Sequence, residues 1–187
     1  MKKPRFLCDV DGIAADFMAE AITIVNSITN QGLTYEQLQH WEILDYIVDA
    51  EHRKIAKDEL NKPGLCEKLS LYENSLEAIK ELNEITDLYF ITAPMTDNTG
   101  WLNERVSWLV KHFGIEVRQV GFLKDKFIAH GDFLLDDSQG NIIKWIEEPV
   151  NKNGRALLWS RPWNKHVEDS RFTRIFEWQE VLEIVKN

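Results

Sequence analysis

Four short apolar runs divide the chain, at residues 5–8, 88–91, 133–135 and 156–159. Each run is rich in β-forming or bulky apolar residues, which is typical of strands in the interior of a sheet. Strands that are apolar along their whole length are buried on both faces, as in parallel sheets covered by helices. The pattern therefore predicts four buried strands.

The segments between these runs carry apolar residues at helical spacing. Residues 73–85 and 178–185 each have one apolar face, and residues 101–113 carry an apolar stripe that includes Leu102 and ends before Gly114. Strands that alternate with helices predict an α/β fold, with a Rossmann-like, mostly parallel sheet flanked by helices.

Only helical patterns occur between residues 17 and 71, so this segment departs from the alternation. Residues 19–28 and 51–61 have helical spacing, and Thr34 can cap a further helix over residues 35–41. A helical insertion directly after the first strand predicts a small cap over one edge of the sheet. The predicted domains are an α/β core of residues 1–17 and 72–187 and a cap of residues 18–71.

Polar residues follow three of the four apolar runs. Asp9 follows the first run, Thr92 the second, and the pair Asp136 and Asp137 the third. Ligands of open α/β sheets bind beyond the carboxyl ends of the strands. We therefore expect these polar side chains to converge on one crevice.

The composition restricts the classes of ligand. The chain has 22 Lys and Arg against 31 Asp and Glu, a formal net charge of −9. This balance argues against a nucleic-acid polymer as partner, because such binding requires a basic face. A small anionic substrate remains compatible, since a bound cation and a single lysine can reverse the local field. The composition leaves open whether the protein forms a homodimer.

The two cysteines, Cys8 and Cys66, have no metal-ligand spacing and form no disulfide framework. Cys8 lies within the first apolar run and is interpreted as a core residue. No stretch approaches the ~20 apolar residues of a membrane span, and Asp9 and Asp11 interrupt the apolar segment behind the basic start of the chain. We therefore expect a soluble, cytoplasmic protein without membrane contact.

Asp9 and Asp11 stand two residues apart at a strand end, with Gly12 directly after them and Asp137 on a distant strand end. Mg²⁺ prefers oxygen ligands and commonly takes one or two carboxylates together with water and substrate phosphate. Gly12 permits the tight turn that lets the chain double back. The set predicts a Mg²⁺ site at which a phosphate can approach Asp9 for in-line attack. For Asp9 and Asp11 taken alone, a plain strand-end turn is the alternative.

Thr92 and Lys126 supply two further groups that phosphoryl transfer needs. The hydroxyl of Thr92 can hold a phosphoryl oxygen, and the charge of Lys126 can offset the negative charge that spreads over the equatorial oxygens. Lys124 is the alternative lysine, but the spacing to the next strand favours Lys126. Asp16 fits the N-cap of a helix better than a ligand position.

The motifs DVDG, FIT, the lysine of LKDK, and LLDD occur in the order and spacing of the haloacid-dehalogenase-like phosphatases, which the chain resembles. The longer strings DVDGIAADF and FITAP, with LKDK and LLDD, resemble the 5′(3′)-deoxyribonucleotidase family within that superfamily. The similarity covers nearly the whole chain. It implies Mg²⁺-dependent hydrolysis of (deoxy)ribonucleoside monophosphates to nucleoside and phosphate, through an aspartyl-phosphate intermediate.

The resemblance also implies a role for each matching residue. Asp9 would be the nucleophile and a Mg²⁺ ligand. Asp11 would be the general acid, and its backbone carbonyl would bind the metal as well. Asp137 would be the remaining metal ligand, with Asp136 as its partner behind the site.

The substrate-holding residues follow from the same resemblance. Thr92 and Lys126 would hold the phosphate, and Phe17 and Trp41 would line the nucleoside pocket. Ala93 is a departure, because relatives often have serine there, and it removes one hydroxyl from the phosphate cradle.

Two other functions stay open. The same chemistry can serve a sugar phosphate or another small phosphomonoester, and the fold can serve as a non-catalytic nucleotide-binding module. The presence of Asp11 weighs against such a module, since acid–base catalysis needs this residue and binding does not. Phe17 and Trp41 favour a flat base over a sugar.

Overall fold

The computed structural model describes residues 2–187, and its centre is a six-stranded sheet. The strands are β1 (Arg5–Cys8), β2 (Asp87–Thr92), β3 (Val120–Phe122), β4 (Phe133–Asp136), β5 (Arg155–Trp159) and β6 (Phe172–Ile175). They lie in the order β3-β2-β1-β4-β5-β6, and every pairing between neighbours is parallel. The predicted α/β fold and the four predicted strands are confirmed.

Seven α-helices occur within residues 2–187. They are α1 (Phe17–Thr29), α2 (Ala50–Leu60), α3 (Leu65–Lys68), α4 (Ser75–Ile85), α5 (Trp101–Phe113), α6 (Gln139–Glu147) and α7 (Trp178–Lys186). The first three belong to the segment that follows β1 and precedes β2. The sequence pattern predicts all of them except α3 and α6.

Side chains of β1 alternate between the two faces of the sheet and so belong to two separate cores. Phe6 and Cys8 face the larger core, to which α4, α5 and α7 contribute, whereas Leu7 faces a smaller core with Ile142 and Trp145 of α6. All five side chains are buried. The burial of Cys8 confirms its interpretation as a core residue, and burial on both faces explains why the strand is apolar throughout.

The apolar pattern does not predict β3 and β6, because both are edge strands. All three residues of β3 are only half-buried, and β6 has a single buried residue, Ile175. An edge strand with so few buried positions has no continuous apolar run by which to recognise it.

The helix predicted over residues 35–41 is wrong. Only a three-residue 3-10 turn, Tyr35–Gln37, forms in that range. The backbone N–H groups of Gln39 and His40 donate instead to the hydroxyl of Tyr46. Because this contact satisfies both donors, the chain can leave the helical path after one turn.

The two ends of the helical insertion lie side by side. Asp16 caps α1 by accepting a hydrogen bond from the N–H of Ala19 at 3.0 Å, as predicted. The N–H of Asp16 donates to the carbonyl of Ser70, where the chain leaves the insertion.

Within residues 2–187, no helix combines the length and the apolar character that a membrane crossing requires.

Strand β1 lies between β2 and β4, where the order of the strands reverses. Cys8 pairs with Phe90 of β2 and with Leu135 of β4, and the N–H of Asp9 donates to the carbonyl of Leu135 at 2.9 Å. Crevices at such reversal points are where open α/β sheets bind ligands. Asp9 therefore emerges at the position where a site is expected.

Candidate active site

The chain reverses direction directly after β1. The N–H of Ala15 donates to the carbonyl of Val10 at 2.9 Å, and the N–H of Gly12 donates to the carbonyl of Ala15 at 3.0 Å. Gly12 has a φ of +78°, a left-handed conformation that glycine adopts without steric cost. The turn holds Asp9 and Asp11 at the carboxyl edge of the sheet.

Lys126 is buried between two carboxylates. Its ammonium group lies 2.6 Å from Oδ2 of Asp9 and 2.9 Å from Oδ2 of Asp136. Burial by itself would lower the pKa of Lys126, but the facing carboxylates of Asp136 and Asp9 outweigh it and raise that pKa. Lys126 therefore stays charged at neutral pH. Lys124 is exposed, and it lines the same cavity as Asp9 and Lys126.

Asp136 and Asp137, at the end of β4, have different surroundings. Oδ1 of Asp136 accepts from the N–H of Ser138 at 2.8 Å, and its Oδ2 accepts from Nδ2 of Asn141 at 3.0 Å as well as from the lysine. Oδ2 of Asp137 is buried and has no hydrogen-bond partner among residues 2–187. Burial, and next the charge of Asp9, raise the pKa of Asp137 well above its usual range.

One carboxylate oxygen from each of Asp9, Asp136 and Asp137 lies within 4.8 Å of the other two. Burial raises the pKa of Asp9 to about 7, although Lys126 opposes the shift. Three buried carboxylates beside one lysine have an excess of negative charge. This donor set fits a hard divalent cation such as Mg²⁺, which prefers carboxylate oxygens. Asp9 and Asp137 line the cavity at this edge of the sheet whereas Asp136 does not, so Asp9 and Asp137 are the carboxylates that would hold the cation.

Thr92 is the last residue of β2 and is buried at the edge of the same cavity as Asp9, Lys126 and Asp137. Its hydroxyl has no hydrogen-bond partner within the described part of the chain. A hydroxyl can donate to an anionic oxygen, and an ammonium group can do the same. The two residues predicted to hold a phosphate therefore face one space.

Asp11 does not join the carboxylate cluster. Both of its oxygens accept from Nη2 of Arg105, at 2.6 and 2.8 Å. The sequence pattern misses Arg105, because it predicts Leu102 on the buried face of α5, whereas Leu102 is 47% exposed and Arg105 is fully buried. The available signal was the spacing of Arg105 from Trp101 and Trp108, which puts all three on one helix face.

Two cavities meet beside Asp11. The larger, of about 660 Å³, is bordered by the polar residues described above, and the smaller has a volume of about 340 Å³. The smaller is lined mainly by apolar side chains, those of Phe17, Ile43, Leu44, Leu60, Pro94 and Met95. Asp11, Trp41 and Ala93 line both cavities. The rings of Phe17 and Trp41 stack, with centroids 5.9 Å apart.

Two residues of the loop after β5 hydrogen-bond to the backbone of the site. Nε of Arg161 donates to the carbonyl of Gly12 at 2.7 Å, and Nδ2 of Asn164 donates to the carbonyl of Asp137 at 2.8 Å. Sequence reasoning misses both residues, since no motif marks them. Their one signal is that they follow a predicted strand, which places them at the carboxyl edge of the sheet.

The sequence profile that matches this chain is that of the 5′ nucleotidase, deoxy (pyrimidine), cytosolic type C protein, and the match spans residues 3–187. A Staphylococcus epidermidis protein, provisionally named a 5′(3′)-deoxyribonucleotidase, is 26% identical over 182 residues, which cover 97% of this chain and 95% of the relative. The 5′(3′)-deoxyribonucleotidase of Bacillus subtilis is 24% identical over 176 residues, which cover 92% of this chain and 93% of the relative.

A solved structure of similar fold is that of YfnB from Bacillus subtilis, provisionally named a HAD-hydrolase and bound to magnesium. It superposes with a TM-score of 0.58 at 14% sequence identity, and the match covers 100% of both chains. At this identity the likeness concerns the fold alone, and it supports the architecture of a parallel sheet flanked by helices.

Proposed function

Since the chain belongs to the 5′ nucleotidase, deoxy (pyrimidine), cytosolic type C protein family, we propose that it hydrolyses nucleoside monophosphates, chiefly deoxyribonucleotides, in a Mg²⁺-dependent reaction. Family membership confirms a phosphomonoester hydrolase of the haloacid-dehalogenase type. The substrate, the cation and the path of the reaction are the proposed part. The free, buried thiols of Cys8 and Cys66 suit a reducing compartment, and we assign the reaction to the cytoplasm.

The observation that carries the proposal is the position of Asp11 between the two cavities. The larger cavity offers Thr92 and Lys126 to a phosphate, and the smaller offers the stacked rings of Phe17 and Trp41 to a base. A nucleoside monophosphate has its groups in the same order, with the ester oxygen between phosphate and nucleoside. With each end in its own cavity, the ester oxygen would lie beside Asp11.

In the proposed first step, a carboxylate oxygen of Asp9 attacks phosphorus, and the bond from phosphorus to the ester oxygen breaks. Asp11, in its protonated form, gives its proton to that oxygen, so that the nucleoside leaves as a neutral alcohol. Thr92 and Lys126 hold the phosphoryl oxygens during the transfer. The products of this step are an aspartyl phosphate and free nucleoside.

In the second step a water molecule attacks phosphorus, and Asp11, now ionised, accepts a proton from that water. The bond between phosphorus and Asp9 breaks, and inorganic phosphate leaves. Both carboxyl groups thereby return to their starting states. A Mg²⁺ ion held by Asp9, Asp137 and the backbone carbonyl of Asp11 would supply positive charge at the phosphate.

The test is phosphate release from 2′-deoxy- and ribonucleoside monophosphates, as 5′ and 3′ esters, with and without Mg²⁺. Glucose 6-phosphate serves as the sugar-phosphate comparison. We expect release from deoxyribonucleotides that requires Mg²⁺. Equal rates on ribonucleotides would remove the deoxy preference, and faster release from glucose 6-phosphate would favour the sugar-phosphate alternative. Nucleotide binding without turnover would indicate a non-catalytic module.

The variant Asp9→Asn tests the nucleophile. We expect it to lower phosphate release by at least about 10³-fold, because the amide cannot form the acyl phosphate. Asp16→Asn is the matched control, since asparagine caps a helix about as well as aspartate. Circular dichroism should show both variants folded. Wild-type turnover in Asp9→Asn would overturn the proposed path.

A further inference from the structure

We propose that Arg105 is a positioning residue, which holds the carboxyl group of Asp11 at the junction of the two cavities and so directs its proton to the leaving oxygen. The inference rests on the proposed function, because it concerns the step in which Asp11 acts as the acid. Arg105 belongs to none of the motifs by which the superfamily is recognised in this sequence.

The contact joins a buried group to one that faces substrate space. The Arg105 side chain is 0% exposed, whereas that of Asp11 is 16% exposed and lines both cavities. One nitrogen, Nη2, lies 2.6 Å from Oδ1 and 2.8 Å from Oδ2 of Asp11. The arginine therefore contacts the carboxyl group from the interior and leaves its other side open to a ligand.

Arg105 is itself held in place by aromatic side chains of the same helix. Its guanidinium carbon lies 4.5 Å from the centroid of the Trp101 ring and 5.9 Å from that of Trp108. Nε1 of Trp108 donates to the carbonyl of Leu69 at 2.9 Å, which fixes that ring against the end of the helical insertion. Cation–π contacts of this kind are strongest where water is excluded. The guanidinium is thus a rigid support for Asp11.

Burying a guanidinium is costly unless its N–H groups have acceptors, and a carboxyl group accepts a hydrogen bond in its protonated form as well as in its ionised form. Within residues 2–187, Asp11 is the hydrogen-bond partner of Arg105, and neither Nε nor Nη1 has one. A purely structural arginine would be expected to use these donors on carbonyl groups, as Arg53 does with the carbonyl of Ile47. Among residues 2–187, the hydrogen bonds of the buried guanidinium are therefore directed at Asp11 alone.

The same stack of rings extends to the smaller cavity. The ring of Trp101 packs edge-on against Phe17, with centroids 6.3 Å apart, and Phe17 stacks on Trp41. Arg105 thus shares its support with the aromatic lining of that cavity. Without Arg105, the Asp11 carboxyl group could rotate away from the junction. Proton delivery to the leaving oxygen would then suffer, whereas phosphate binding by Thr92 would not.

The test compares two substrates that differ in their need for an acid. A nucleoside alkoxide is a poor leaving group and needs a proton, whereas p-nitrophenolate leaves with little help. We expect Arg105→Gln to lower kcat/KM for 2′-deoxyuridine 5′-monophosphate by about 100-fold, and that for p-nitrophenyl phosphate by much less. The ratio of the two values, measured on one preparation, does not depend on the fraction of folded enzyme.

Arg53→Gln is the control, since it removes an exposed arginine of the helical insertion that donates to the carbonyl of Ile47, and it should leave the ratio unchanged. Arg105→Lys keeps the buried charge and should lower the ratio in the same direction by a smaller factor. It decides the question if Arg105→Gln does not fold. An equal loss on both substrates in Arg105→Gln, or a wild-type ratio in folded Arg105→Lys, would overturn the inference. A wild-type enzyme inactive on both esters would instead overturn the proposed function.

Discussion

Gly12 faces Asp137 so closely that an added Cβ atom would lie 2.1 Å from Oδ2 of that carboxylate. Non-bonded atoms do not approach to this distance, so one of the two groups would have to move. The same oxygen is buried and unpartnered among residues 2–187. The absence of a side chain at Gly12 therefore leaves the space that the Asp137 carboxylate occupies.

We expect Gly12→Ala to abolish Mg²⁺-dependent phosphate release, because the methyl group displaces the Asp137 carboxylate. The free energy of unfolding should fall by about 1–2 kcal/mol for the left-handed backbone alone. Gly32→Ala is the matched control, since Gly32 has a φ of +66° but nothing within 4 Å of an added Cβ. Denaturant unfolding should show the backbone cost in both variants. A fully active Gly12→Ala enzyme would contradict the prediction.

The metal-free protein should lose stability as the pH rises from about 4 to about 7. Burial raises the pKa of Asp9 from 3.8 to about 7, so in this range the folded state retains a proton that the unfolded state has released. Asp137, whose pKa is also raised, acts in the same direction. Thermal unfolding in a chelating buffer measures the effect. A rise in Tm across this range would contradict the raised pKa values.

The stabilisation of the protein by Mg²⁺ should increase as the pH rises, because cations and protons compete for the same carboxylates. An excess of Mg²⁺ should raise Tm more at about pH 8 than at about pH 5. Asp137→Asn should lose most of this increase, and Asp58→Asn, at an exposed position of α2, should retain it. An increase of equal size at both pH values would argue that Mg²⁺ binds elsewhere.

Lys126→Gln should lower phosphate release by at least about 100-fold, because it removes the buried positive charge at the phosphate. It should also destabilise the fold, since Asp9 and Asp136 would remain buried without their cationic partner. Lys124→Gln is the control, as Lys124 lines the same cavity from an exposed position. If the loss occurred in Lys124→Gln instead, the role would belong to Lys124.

Trp41→Ala should raise KM for deoxyribonucleotides by about 5- to 150-fold, because stacking of a base on an aromatic ring is worth about 1–3 kcal/mol. Competitive inhibition by inorganic phosphate, which has no base, should be unchanged. Phe176→Ala, which removes an exposed aromatic ring, serves as the control. An unchanged KM together with weaker inhibition by phosphate would place Trp41 at the phosphate instead of the base.

Much of the site could be predicted from the sequence, because its main signals are local. Asp9, Thr92 and Asp137 each follow an apolar run of the sequence, and parallel strands bring their carboxyl ends to one edge of the sheet. The strand assignments themselves depend on runs of adjacent residues, which the four interior strands have and the edge strands β3 and β6 lack. The sequence by itself therefore determined the fold class and the place of the site.

Only the tertiary structure decided which side chains hold the functional groups. Arg105 contacts Asp11 across 94 residues of sequence. Its spacing from Trp101 and Trp108 places it on the buried face of α5, but that spacing does not show which carboxylate it meets. Two other contacts also have partners that no local pattern identifies. Asn164 donates to the carbonyl of Asp137, and the hydroxyl of Tyr46 accepts from the N–H of Gln39, where the predicted helix over residues 35–41 breaks. Local patterns record burial averaged over an element, whereas the partner of a polar group is set by contacts distant in sequence.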